Sequence, residues 1–174
     1  MFRANVAQLG KRGFTFEAWL YHPQMPELVE LAKAVPGTTI ILNHIGAPLG
    51  VGTYAGRRDE IHAWWRDRIV ELSQLPNIVV KLGGVGMAPY GSGWADRGRV
   101  ASSDEIVEAW GPAMHHIIKH FGTKRCMFES NFPVDKVSFS YRTMWNAYKK
   151  MTQGMPKGER EDLFALTAER VYRI

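Results

Sequence analysis

The sequence has 174 residues, 45% hydrophobic and 22% charged, which is enough for one globular domain with a buried core. No apolar run reaches the roughly 20 residues of a membrane span, and the N-terminal stretch lacks the apolar segment of a signal peptide. The net charge is +5, but basic residues are dispersed among acidic ones. We therefore expect a cytoplasmic protein without membrane or nucleic-acid partners and with a weak preference for small anionic ligands.

The first half of the chain predicts two strands, each followed by a long or helical connection. A helix over residues 1–11 precedes the alternating segment FTFEAWLY (14–21), which predicts a strand. Pro26 opens a helix to about Ala34. The β-branched segment TTIILNH (38–44) predicts a second strand, and a Gly-rich loop follows it.

The second half continues the alternation of helix and strand. The predicted elements are a helix over 57–75, a strand at NIVVKLGG (77–84), a long loop, a helix from Ser103 to about Phe121, a strand at KRCMFES (124–130), and helices near 139–152 and 156–171. The single cysteine, Cys126, falls in the last apolar strand and indicates a buried thiol in a reducing compartment.

Apolar strands that alternate with helices predict a parallel α/β sheet covered by helices. The long polar loops follow the strands, as in a (β/α) barrel, and the first strand-to-helix turn lacks the GxGxxG of a dinucleotide-binding fold. A complete barrel needs eight strands and about 250 residues, whereas this chain supplies about four strands. Residues 1–174 therefore predict a single partial domain, the C-terminal half of a (β/α)8 TIM-type barrel.

Polar residues mark the ends of all four predicted strands, namely His22, His44, Lys81, Glu129 and Asn131. Carboxyl ends of parallel strands converge at one rim, so these residues are candidates for one site. These residues also have structural interpretations. His44 would then be a hydrogen-bonded core histidine, Lys81 a lysine that extends to solvent, and Asn131 part of an Asx-turn before Pro133.

Four segments carry a family resemblance: ILNHIGAPLG, NIVVKLGGVG, RCMFESNFPVDK and the terminal TAERVYRI. In order and spacing they resemble the amidohydrolase-2 branch of the amidohydrolase superfamily, which comprises TIM-barrel metal-dependent hydrolases such as lactonases, and a related decarboxylase. The resemblance implies that His44 binds metal or polarises the substrate carbonyl. It also implies that Asn131 stands where many relatives have a catalytic aspartate, in a pattern like GSDxP.

This sequence departs from the family pattern at two places. An amide takes no proton at neutral pH, so Asn131 cannot be a general base, and Glu129 or Asp135 would inherit that role. Strand alternation directs Glu129 to the same side as Asn131, which favours Glu129 over Asp135. The alternative is a Glu129 that is buried as the ion-pair partner of Lys81 or an arginine.

The second departure is the lack of the HxH pair that the resemblance implies for the first barrel strand. His115 and His116 cannot replace it, since neighbouring helical residues point about 100° apart. With His44 as the one metal-ligand candidate, zinc or manganese would be held in the complete enzyme and not in this chain, because catalytic zinc usually takes three protein ligands.

The loops supply candidates for substrate binding, in addition to His22 and Lys81. Arg57, with Arg58, would either bind a substrate carboxylate or form an exposed first helical turn. Trp94, with Trp19 and Tyr21, would wall the pocket.

The resulting hypothesis is a hydrolase that attacks the carbonyl of a small, anionic lactone, ester or amide, incomplete without an N-terminal half. The alternatives are a non-oxidative decarboxylase of the same family and a catalytically silent barrel fragment. A half-barrel leaves sheet edges and an inner apolar face uncovered, so we also expect a homo-oligomer.

Overall fold

The computed structural model describes all 174 residues and contains one sheet of four parallel strands. The strands are β1 (Phe16–Ala18), β2 (Ile40–Leu42), β3 (Ile78–Leu82) and β4 (Cys126–Phe128), and they pair in chain order. All three pairings are parallel. The predicted half of a (β/α) barrel is therefore confirmed, with shorter strands than the sequence indicated.

Seven helices accompany the sheet: α1 (Phe2–Lys11), α2 (Met25–Ala34), α3 (Arg58–Ser73), α4 (Ser103–Phe121), α5 (Tyr141–Met151), α6 (Lys157–Glu161) and α7 (Thr167–Tyr172). A π-helical turn, Asp162–Leu166, joins α6 to α7. The α4 helix begins at a capping box, in which Ser102 and Glu105 bond each other's backbone N–H. None of these helices combines the length and apolar character that a membrane crossing requires.

The main core lies between the outer face of the sheet and the helices. Alternate strand residues such as Ile40 and Leu42 point into it, together with the fully buried Trp65 of α3 and Trp110 of α4. This packing removes large apolar side chains from water, each worth about 1.5–3 kcal/mol. It fixes the strands, and hence the loops that follow them.

The inner face of the sheet is not left bare, contrary to the expectation from strand number. Ile41, Val79 and Met127 point inward and pack against Ala168, Val171 and Tyr172 of the C-terminal helix α7. The π-helical turn also packs against β4, the last strand. The β1 edge stays open, beside a cavity of about 540 Å³ whose lining includes Phe2, Phe16 and Trp19.

Candidate active site

His44 and Glu129 form the centre of the site at the carboxyl ends of the strands. His44 follows β2 by two residues and Glu129 follows β4 directly, and His44 Nδ1 pairs with Glu129 Oε1. Each side chain is 15% exposed, so the pair is sheltered but reachable from solvent. The two residues come from strands that are not neighbours, because β3 lies between them.

The end of β3 makes this contact sterically feasible. A Cβ built on Gly84 would lie 2.6 Å from His44 Nδ1, and one on Gly83 would lie 2.4 Å from Glu129 Cγ. Gly84 also has a φ of +71°, which L side chains rarely adopt. Two consecutive glycines therefore leave the space in which the histidine and the carboxylate meet.

Two buried tyrosines hold the backbone at the same place. The hydroxyl of Tyr90 donates to the carbonyl of His44. The hydroxyl of Tyr148 lies 2.7 Å from both the Leu82 and the Glu129 carbonyl oxygens. Burial raises the pKa of both phenols well above their usual value, so both remain neutral donors. Neither tyrosine was a candidate from its sequence context, because Tyr90 lies in a loop and Tyr148 on α5.

The backbone around the site is conformationally unusual. His44 and Ile45 have φ values of 53° and 55°, and Asn131 has 52°, all in the left-handed region. Such conformations cost of order 1 kcal/mol or more each and persist where surrounding contacts enforce them. The peptide bond between Phe132 and Pro133 is cis.

Asp135 and Asn131 form a second pair beside the first. Asp135 is fully buried, and its two oxygens accept from Asn131 Nδ2 at 2.7 Å and from the Gly86 N–H at 3.1 Å. Burial raises the pKa of Asp135 to about 6, although these hydrogen bonds and the nearby His44 act to lower it. His44, Glu129 and Asp135 thus lie close enough for their charges to interact, and Asn131 contacts this group through its hydrogen bond to Asp135.

Lys81 lies on the inner face of the sheet and pairs with Glu17 at 2.9 Å, not with Glu129. Glu17 also accepts from Tyr172 Oη at 2.6 Å and Asn43 Nδ2 at 3.1 Å. Burial alone would raise the pKa of Glu17, but the hydrogen bonds from Tyr172, Lys81 and Asn43 outweigh it and lower that pKa. This network could not be predicted from the sequence, because Tyr172 is 155 residues from Glu17.

Three predicted substrate-binding residues lie outside this cluster. His22 is buried against the rings of Tyr54 and Trp64, its Nδ1 accepts from the Leu49 N–H at 3.2 Å, and desolvation lowers its pKa. Arg57 is exposed and bonds Glu60 of the same helix turn at 2.9 Å.

Trp94 is buried and packs on Phe139. By contrast, the Trp19 ring lies edge-on to His44, with 6.4 Å between centroids. Of the predicted aromatic wall, Trp19 is the member that borders the histidine.

The residues present do not complete a zinc site. No three His, Cys, Asp or Glu side chains are grouped to hold a metal ion, and His44 Nδ1 faces Glu129. Zinc catalytic sites take three protein ligands. His44, the predicted ligand, would need further ligands from outside this chain.

The fold and the rim define the class of this protein as half of a (β/α) barrel with a candidate active site at the carboxyl ends of its strands. A family model described as amidohydrolase matches residues 2–174. The chain belongs to the amidohydrolase family, in its amidohydrolase-2 branch, which confirms the resemblance.

Relatives of the chain are about twice as long. It is 36% identical over 173 residues to the uncharacterized protein y4mH of Sinorhizobium fredii, covering 99% of this chain and 51% of that protein. It is 26% identical to L-fucono-1,5-lactonase of Burkholderia multivorans, and the match covers 99% of this chain and 56% of that protein. A crystal structure of an amidohydrolase from Burkholderia multivorans with bound zinc matches at a TM-score of 0.85 and 25% identity. This match covers 99% of this chain and 57% of that chain.

Proposed function

We propose that this chain carries the acid–base residues of a hydrolase. The enzyme would hydrolyse the bond between the carbonyl carbon and the oxygen or nitrogen of a small, anionic lactone, ester or amide. The observation that carries the proposal is the His44–Glu129 pair at the carboxyl rim. The likeness to L-fucono-1,5-lactonase supports a lactone as the substrate class. The net charge of +5 favours an anionic one.

Glu129 determines which nitrogen of His44 is reactive. A carboxylate beside Nδ1 accepts the Nδ1–H, so the assigned tautomer leaves the lone pair on Nε2. Nε2 would take a proton from water as the water oxygen bonds to the substrate carbonyl carbon. Glu129 would stabilise the imidazolium, which returns the proton to the departing alkoxide or amine as the carbon–heteroatom bond breaks.

Asp135 and Asn131 have positioning roles in this scheme. Asp135 is fully buried and both of its oxygens already accept hydrogen bonds. Asn131 has no titratable group. Asp135, Asn131 and the Gly86 N–H would together fix the loop after β4 beside Glu129. In this scheme neither Asp135 nor Asn131 takes the proton from water.

We further propose that a second set of strands completes the enzyme at the β1 edge. The chain spans about half the length of the relatives it matches, and β1 has no neighbour on its outer side. Additional ligands for a metal, which would polarise the carbonyl as a Lewis acid, would come from that other half.

Hydrolysis of sugar lactones, including L-fucono-1,5-lactone, tests the proposal through acid release followed with a pH indicator. His44→Ala and Glu129→Gln should each lower kcat by about a hundredfold or more, the range of lost general acid–base catalysis. His115→Ala is the matched control, because His115 lies on α4 and its ring contacts the Met151 carbonyl of α5 at 2.8 Å, not His44 or Glu129.

The proposal has two ways to fail. Equal rates for wild type and His44→Ala would refute the assignment of the base. A chain that hydrolyses no lactone, ester or amide, either by itself or with the upstream half of a relative, would refute the hydrolase function.

A further inference from the structure

A basic pocket lies at the opposite rim of the sheet from His44, and we call it the amino-end pocket. It has a volume of about 420 Å³ and includes residues that lie one or two positions before each strand, namely Thr15, Thr39, Pro76 and Arg125. The end of α7 closes one side. A cavity of this size suits a small ligand.

The charges around the amino-end pocket are all of one sign. Lys124, Arg125, Arg170 and Arg173 line it, and no aspartate or glutamate does. None of these four cations takes part in a salt bridge. Like charges that converge in a concave site repel one another and attract anions, so a bound anion would stabilise this arrangement.

Two of the arginines are fixed by the backbone before any ligand arrives. Arg125 donates to the carbonyl oxygens of Phe121, Leu75 and Ser73 at 3.2, 3.0 and 2.8 Å. A guanidinium has five N–H donors, so Arg125 retains two. Arg170 donates to the Lys124 carbonyl and ties α7 to the start of β4.

The remaining donors are free. The side chains of Lys124 and Arg173 make no hydrogen bond within the protein. Arg173 Nη1 lies next to Gly13, where a Cβ added to that glycine would be 2.9 Å from it. The hydroxyls of Thr15 and Thr39 are also without protein partners. Planar guanidinium groups with a lysine and hydroxyls match the oxygens of phosphate groups.

We propose that the amino-end pocket binds a multivalent oxyanion of the phosphate or diphosphate class. The ligand would bridge Arg173 and Lys124 across the pocket and accept from the free N–H groups of Arg125. Its site is separate from the carboxyl rim, so this proposal stands independently of the hydrolysis at His44.

Isothermal titration calorimetry of the chain with inorganic pyrophosphate tests the proposal. Binding should weaken as salt is added, because exposed charge pairs are screened. The Lys124→Ala/Arg173→Ala double variant should bind about tenfold more weakly or worse, the scale of losing charge-assisted hydrogen bonds. Should that variant fail to fold, Arg173→Glu alone should show the same loss.

The matched control is Arg142→Ala/Lys149→Ala, which removes one arginine and one lysine from exposed positions on α5, outside the pocket. This control and His44→Ala should keep wild-type affinity for pyrophosphate. No measurable binding by the wild type would overturn the proposal. So would equal weakening in the control variant, which would indicate attraction by net charge, or in His44→Ala, which would place the anion at the carboxyl rim.

Discussion

Substitution of Gly84 by alanine tests whether the end of β3 must lack side chains for the site to form. The new Cβ would lie 2.6 Å from both Cγ and Nδ1 of His44, closer than real Cβ contacts. The positive φ of +71° adds about 1 kcal/mol of backbone strain. Overpacking against a held ring costs about 1–3 kcal/mol more. We therefore expect Gly84→Ala to lose about 2–4 kcal/mol of stability.

Gly98→Ala is the matched control, because Gly98 has the same φ of +71° and nothing within 4 Å of an added Cβ. It should lose about 1 kcal/mol, which is the strain alone. Urea unfolding followed by the fluorescence of the six tryptophans gives both values. The difference of about 1–3 kcal/mol corresponds to roughly 2–12 °C in Tm.

The same pair of variants should differ in catalysis. Displacement of His44 by about 1 Å should lower kcat about a hundredfold in Gly84→Ala, and Gly98→Ala should leave it unchanged. Equal stability losses in the two variants would refute the idea that Gly84 makes room for the histidine. Unchanged catalysis in Gly84→Ala would refute the role of His44.

Three further predictions concern pH, metal and assembly. Burial holds the pKa of Asp135 at about 6, above the 3.8 of an unperturbed aspartate, so the stability from its bound proton is full below about pH 4 and is lost as the pH rises to about 6. Urea unfolding across this range should show a loss on the order of 3 kcal/mol relative to Asp135→Asn, and parallel profiles would contradict it. Elemental analysis after dialysis should find well below one equivalent of zinc or manganese, because His44 and Glu129 are too few ligands; stoichiometric metal would refute this. Light scattering should give a mass above the 19.7 kDa of one chain, because Phe2 and Trp19 are 60% and 56% exposed beside the open β1 edge. The Phe2→Lys variant should shift the mass toward that of a monomer. A monomeric wild type would refute the predicted assembly.

Elements defined by local chemistry could be predicted from the sequence. The α4 helix has the predicted bounds, Ser103 to Phe121, because a capping box and a glycine mark its ends. The β1 strand was predicted over eight residues, but Phe16–Ala18 alone pair with β2. An apolar alternating segment shows that a strand can form, whereas the number of paired residues depends on the neighbouring strand.

The candidate site was predictable in position but only partly in composition. Parallel strands place their carboxyl ends together, so His44 and Glu129 could be assigned to one rim. The partners of Lys81 and His22 could not be predicted. Tyr172 reaches Lys81, and Tyr54 and Trp64 reach His22, only through tertiary packing. Side chains at similar points of the sequence pattern thus have different roles, which only their neighbours in space reveal.

The glycines after β3 explain how side chains from β2 and β4 can meet at all. Adjacent strands lie about 4.8 Å apart, so two strands that flank a third are separated by about 10 Å. An imidazole and a carboxylate can span that gap only if the intervening strand ends without a side chain, and Gly83 and Gly84 satisfy this condition. The segment LGGVG therefore belongs to the site, although its glycines offer no reactive group. A search of the sequence for reactive side chains misses such residues, because their contribution is the space that they leave.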